Sequence, residues 1–103
     1  MRTMLKATVP VAAGNAAIRD ERMGKVLEAA AKNLRPEATY FYTENGKRTA
    51  LFFFDMKDVS DIPSIGEPFF MELDAQVEIT PVMNYDDLKT GLSKIAERVA
   101  QPV

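Results

Sequence analysis

A chain of 103 residues, 47% hydrophobic and 27% charged, has the size and balance of one globular domain. A net charge of -2 and a pI near 5.1 give no electrostatic reason to bind nucleic acid or anionic lipid. With neither cysteine nor histidine, the chain lacks disulfides, thiolate chemistry, the usual neutral-pH base and the commonest metal and haem ligand, so no metal and no cofactor is expected.

The opening Met1-Arg2-Thr3-Met4-Leu5-Lys6 turns polar too soon for a secretory signal, and no apolar run approaches the ~20 residues of a membrane span. A cytoplasmic protein of bacterial type is the expectation. Met4 to Val9 alternates as a strand, with Leu5, Ala7 and Val9 on one side and Met4, Lys6 and Thr8 on the other. Pro10 ends it. Gly14-Asn15 offers a turn and cap to a helix whose apolar stripe is Ile18, Met23, Val26, Leu27, Ala30 and Leu34. Gly24 predicts a bend or a two-part helix, and Pro36 closes the region.

Glu37–Glu44 and Lys47–Asp55 read as a hairpin, because Asn45-Gly46 suits the two positive-φ positions of a type I′ turn. That turn pairs Glu44 with Lys47, Tyr42 with Thr49 and Tyr40 with Leu51. Thr39, Phe41, Arg48, Ala50, Phe52 and Phe54 then share one face; Ala38, Tyr40, Tyr42, Thr49, Leu51, Phe53 and Asp55 share the other.

Ser60 is the expected cap of a further helix that buries Ile62, Ile65, Phe69, Phe70 and Leu73. Pro63 suits its first turn, whereas Pro68 predicts a kink or restart near Glu67. Ala75 to about Val82 alternates as a last strand, Val77 and Ile79 against Gln76, Glu78 and Thr80. Asn84 and Asp87 form a capping box for a final helix with Leu88, Leu92, Ile95, Ala96 and Val99 as its stripe and Pro102 at its end.

The order β-α-β-β-α-β-α is the split βαβ arrangement over residues 1–103, an antiparallel sheet with both crossover helices on one face. The run Ala50-Leu51-Phe52-Phe53-Phe54 is apolar on both sides, so the second sheet face needs cover too. Leaving it wet forgoes roughly 1.5–3 kcal/mol per large apolar side chain. Either the final helix folds back over it or a second subunit covers it; one helix is narrow against four strands, so a homodimer is expected.

This element order and the two-faced third strand resemble the dimeric α+β barrel group of ferredoxin-like proteins, which includes small antibiotic-biosynthesis-type monooxygenases, muconolactone-isomerase-like proteins and stress-responsive barrel proteins. Gly14-Asn15-Ala16-Ala17-Ile18-Arg19-Asp20, Gly46-Lys47-Arg48-Thr49-Ala50 and Glu67-Pro68-Phe69-Phe70 look like segments of small uncharacterised bacterial proteins of this type. The resemblance covers nearly the whole chain and implies a homodimer with a cavity against the sheet. It implies no particular reaction.

The candidate ligand-binding residues are Lys6, Tyr40, Tyr42 and Glu78, with Glu67 and Arg48 at the edge. Lys6 and Glu78, on neighbouring strands away from the helices, suit either an acid and base lining a pocket or an ion pair that sets register. Tyr40 and Tyr42, two apart, place two phenols on one wall or simply pack. Arg48 suits a carboxylate or phosphate, or ends the hairpin in solvent. Glu67 either points into a cavity mouth or caps a restarted helix. Asn15 and Arg19 lack the phosphate-cradling loop of an acylphosphatase-like site. The third strand lacks the glycine and aromatic pattern of an RNA-recognition domain, and Asp55, Asp58, Asp61, Asp86 and Asp87 lack calcium-loop spacing. The expected function is a small amphipathic ligand held between sheet and helices. A cofactor-independent monooxygenase or isomerase, or a purely structural dimerisation module, are the alternatives.

Overall fold

A computed structural model describes residues 1–100. Strand β1 (Arg2–Val9) leads into helices α1 (Val11–Arg19) and α2 (Arg22–Leu34). The hairpin β2 (Ala38–Glu44) and β3 (Lys47–Asp55) follows, then a 3-10 turn (Val59–Asp61) that runs into α3 (Ile62–Leu73). Strand β4 (Gln76–Pro81) and helix α4 (Tyr85–Ala100) complete the chain. Pro102 lies outside the described residues. Among the described residues, no helix is long and apolar enough to cross a membrane.

The four strands form one antiparallel sheet in the order β2-β3-β1-β4. Asn45 (φ 53°) and Gly46 (φ 76°) both take positive φ, as a type I′ turn requires, and the hairpin register follows with Tyr40 opposite Leu51 and Glu44 opposite Lys47. Across the sheet this register builds continuous rows. Thr39, Phe52, Leu5 and Ile79 form one row on the helix-covered face, and Tyr40, Leu51, Lys6 and Glu78 form one on the opposite face.

The core lies between the sheet and α1–α3. Leu5, Ala7, Val9, Ala50, Phe52 and Phe54 supply it from the sheet; Ala17, Val26, Ala30, Phe69 and Leu73 supply it from the helices. Phe52 is its hub, with ring centroids 6.2 Å from Phe41 and 6.0 Å from Phe69.

The helices depart from their sequence patterns in five places. α1 starts at Val11 after Pro10, so Gly14 and Asn15 stand inside it rather than at its cap. Gly14 is buried because the Arg48 side chain occupies the space of a Cβ there: its Nη1 would lie 2.6 Å from the added carbon. The helical region does break in two, but at Asp20–Glu21. Glu21 adopts φ 68°, and the Asp20 carboxylate accepts hydrogen bonds from the Arg22 backbone N–H and Nε at the start of α2. Gly24 sits within α2 with open space around it. On α1, Ile18 is exposed and Ala17 is buried instead.

Asp58 caps the 3-10 turn by accepting from the Ser60 N–H, a role the sequence suggests for Ser60 itself. Pro68 is accommodated within an uninterrupted α3. Both Pro68 and Ser64, whose carbonyl loses its partner, are exposed, so water can hydrate the orphaned group. Of the apolar set on α3, Phe69 and Leu73 are buried and Ile65 packs partly against the core, whereas Ile62 and Phe70 stay exposed.

α4 projects from the domain. The Cα radius of gyration is 17.4 Å, with extents of 61 × 28 × 22 Å, against about 13 Å expected for a compact chain of this length. Leu88, Leu92, Ile95 and Val99 are 40%, 54%, 57% and 75% exposed. The helix is anchored at its first turn. Asn84 Oδ1 accepts from the Asp87 N–H at 2.8 Å and Asp87 Oδ2 accepts from the Asn84 N–H at 3.0 Å, a completed capping box. Arg2 donates to Glu37 at 2.8 Å and to Asp87 at 3.3 Å, tying that turn to the start of β1.

Candidate functional site

Among the described residues, no helix of the same chain lies across the sheet face away from α1–α3. This face carries Arg2, Met4, Lys6 and Thr8 from β1, Lys47, Thr49, Leu51, Phe53 and Asp55 from β3, Ala38, Tyr40, Tyr42 and Glu44 from β2, and Gln76, Glu78 and Thr80 from β4. Alternation along each strand fixes this set, because a one-residue slip would bury the polar members. Tyr40 is 60% exposed and its ring meets Phe53 edge-on at 6.5 Å.

A polar cluster runs from the centre of this face toward the hairpin turn. Lys6 Nζ lies 2.6 Å from Glu44 Oε2 and 3.9 Å from Glu78 Oε2, and the Tyr42 hydroxyl donates to Glu44 Oε1 at 3.1 Å. The Lys6 side chain is only 21% exposed, while Glu78 is 65% exposed. The Lys6 ammonium and the Tyr42 hydroxyl hold the Glu44 carboxyl below its ordinary range. The hydrogen bond to Glu44 raises the Lys6 ammonium above its usual value against an opposing desolvation effect. Burial first, and Glu44 second, raise the Tyr42 phenol. At neutral pH the three are therefore an ammonium, a carboxylate and a neutral phenol. A cationic Lys6 is no proton acceptor.

Lys6, Tyr40, Tyr42 and Glu78 thus share one face. Glu44 is the member that the sequence pattern does not single out. It pairs with Lys47 at the turn, yet the same alternation puts it on the face of Tyr40 and Tyr42, within reach of the long Lys6 side chain across β3.

Arg48 and Glu67 do not join them. Arg48 lies on the helix-covered face, where its Nη2 donates to Asn15 Oδ1 at 3.0 Å and pins the hairpin end to α1. Glu67 is exposed on α3, on the far side of the sheet from Lys6.

A groove of about 280 Å³ lies between α2, α3 and the end of β3, lined by Val26, Ala30, Phe54, Met56, Ile65 and Phe69 among others. None of the six candidate residues lines it. A shallower depression of about 320 Å³ at the hairpin edge includes Tyr42 and Arg48 with Met23, Leu27 and Phe41. Among the described residues, no three carboxylate, histidine or cysteine side chains gather as metal ligands. No protein-family model matches the chain, and no curated protein matches it in sequence.

Proposed function

We propose that this chain is a ferredoxin-like domain of the dimeric α+β barrel type that works as a homodimer and holds a small amphipathic molecule against its open sheet face. The ferredoxin-like reading is supported by two crossovers that each skip one strand: β1 reaches β2 past β3, and β3 reaches β4 past β1. Two helices in the first crossover, where one suffices, are a departure from the simplest form.

The observation that carries the functional reading is the open face itself. Its half-buried Lys6–Glu44–Tyr42 cluster, flanked by Tyr40, Leu51 and Phe53, is a set of polar groups within an apolar wall, the composition of a small-molecule site once covered. The ionic groups would orient a polar end and the aromatic rings would take an apolar body.

Of the groups that could act as the base in the monooxygenase or isomerase alternative, Lys6 is shifted up, away from neutral pH, and Glu67 stands on the other side of the sheet, which favours binding. A purely structural dimer is the second reading, favoured by one fact: Lys6, Glu44 and Tyr42 already satisfy one another within the chain.

Native mass spectrometry of freshly purified protein separates these readings. A dimer carrying a retained small molecule, lost on Glu78→Gln with little change in melting temperature, is the expected result. A dimer without added mass, with Glu78→Gln altering the melt alone, supports the structural reading; a monomer contradicts both.

A further inference from the structure

We propose that the outer edge of β2 is a self-recognition site: β2 of a second copy pairs with it antiparallel, centred on Phe41, and joins the two sheets into one of eight strands. The contact lies at the rim of the sheet and leaves the open face uncovered, so it stands apart from the pairing proposed above.

The order of residues along the strand carries the inference. Thr39-Tyr40-Phe41-Tyr42-Thr43 reads the same in both directions. Antiparallel pairing runs the second copy in reverse, so a two-fold axis at Phe41 sets like residues opposite each other: Phe41 on Phe41, Tyr40 on Tyr42 and Thr39 on Thr43. Aromatic pairs and threonine pairs are combinations that stabilise neighbouring strands. No charge meets its like, because Glu44 comes opposite Ala38 and Glu37 opposite Asn45.

The backbone agrees with that centre. β2 is an outer strand, so one side of it has no strand beside it among the described residues. The two-residue turn closes on Glu44 and Lys47 as a hydrogen-bonded pair, and alternation then turns the N–H and C=O groups of Tyr42 and Tyr40 toward β3. Those of Thr39, Phe41 and Thr43 point outward, symmetrically about Phe41. Pairing centred there satisfies all three in both copies. A centre at Tyr40 would set Thr43 opposite Glu37, whose N–H is already bonded to the Phe53 carbonyl; a centre at Tyr42 would set Thr39 opposite the turn. A slip by one residue would bring side chains of opposite faces together.

The strand is also unguarded. Tyr40, Phe41 and Tyr42 are 60%, 61% and 39% exposed, and neither a charge nor a proline stands between Glu37 and Glu44. Outer strands ordinarily carry such interruptions against pairing, as β4 does with Glu78 and Pro81. The joined sheet exposes only β4 at its two rims. The depression beside β2, lined by Met23, Leu27 and Phe41, gives the Phe41 ring of the second copy an apolar seat. Five residues a side fall well short of the ~1,200 Å² of a standard interface, so the contact is weak and forms above the micromolar range.

A chain without native cysteine allows a trapping test. Thr39→Cys and Thr43→Cys are made in separate full-length chains, mixed at several hundred micromolar and mildly oxidised. The proposed register sets the two positions ~5.5 Å apart between Cα atoms, within disulfide range. The expected product joins one chain of each kind and is absent from either variant alone, where the matching cysteines lie ~13 Å apart. A mixture that yields no joined chains overturns the proposal, as does a joined product from one variant alone. Both positions lie on the helix-covered side, so contact through the open face does not give the mixed product. A dimer in sedimentation without that product discards the edge and leaves the pairing proposed above. As a second measurement, Thr39→Lys with Thr43→Lys sets like charges opposite each other twice, outside the core, and Thr39→Glu with Thr43→Glu does so with the other sign. Each variant alone should associate at the edge at least about tenfold more weakly, and an equal mixture should recover, as read from the average mass in sedimentation at the same concentration. Unchanged association in either variant, or no recovery on mixing, contradicts the proposal.

Discussion

Glu44 and Asp55 tie the acid stability of the fold to specific side chains. Lys57, and after it the amino-terminal ammonium, hold the Asp55 carboxyl down to about 2, and Lys6 with Tyr42 holds Glu44 below its ordinary value. A carboxylate depressed in the folded state contributes stability that is complete above its unfolded value near 4. That contribution is lost as pH falls through the folded value. The protein should therefore lose stability progressively from about pH 4 toward pH 2, and Asp55→Asn should flatten that loss, as followed by thermal melts across the acid range. A wild-type melt independent of pH in that window would contradict the assigned ion pairs. Lys6 and Glu78 were legible as neighbours because alternation and strand order alone place them in one row. The choice of Glu44 as the closer partner was not, since it depends on how far a lysine side chain reaches over two rows of the sheet. Arg48 illustrates the opposite difficulty: its partner Asn15 is distant in sequence, and only the packing of α1 on the hairpin reveals the contact.

Two glycines in the helices make opposite demands on the elements that hold them. Gly24→Ala meets open space within α2 and should stabilise the protein by about 0.5–1 kcal/mol. Gly14→Ala pushes on Arg48 Nη1 and on Val9, which lies 3.3 Å from the added carbon, so its helix gain should be cancelled or reversed. Denaturant melts of the two variants test the pair, and equal gains would show that Arg48 yields freely. Helix existence and the hairpin register were legible because periodicity and the Asn45-Gly46 turn act locally. Helix limits were harder to read. The signal at Gly14 reports close packing by Arg48, and the break falls not at Gly24 but at Asp20–Glu21, where Glu21 takes positive φ and the Asp20 carboxylate accepts from Arg22. Pro68 does not restart the helix for a related reason: a proline on a solvated helix face costs less than one whose orphaned carbonyl is sealed from water. At α4, Asn84→Ala removes one half of the capping box and should cost about 1 kcal/mol of local helix stability. Because α4 stands apart from the core, that loss should appear as faster hydrogen exchange within the helix, with the sheet protection unchanged.

At the scale of the molecule, three helices suffice for one sheet face and the fourth extends away. The need for cover on the second face was readable from Leu51 and Phe53. The direction taken by α4 was not, because its amphipathic pattern suits its own sheet and that of another copy equally well. Phe53→Asp places a charge in the middle of the open face, beside the Tyr40 ring. It should abolish association across the micromolar range, and an intact dimer of that variant there would remove this face from the interface. Sedimentation equilibrium of the wild-type chain at neutral pH tests the shared premise most directly. The account predicts a species of twice 11.5 kDa across the micromolar range. A single species of 11.5 kDa at every concentration would contradict it.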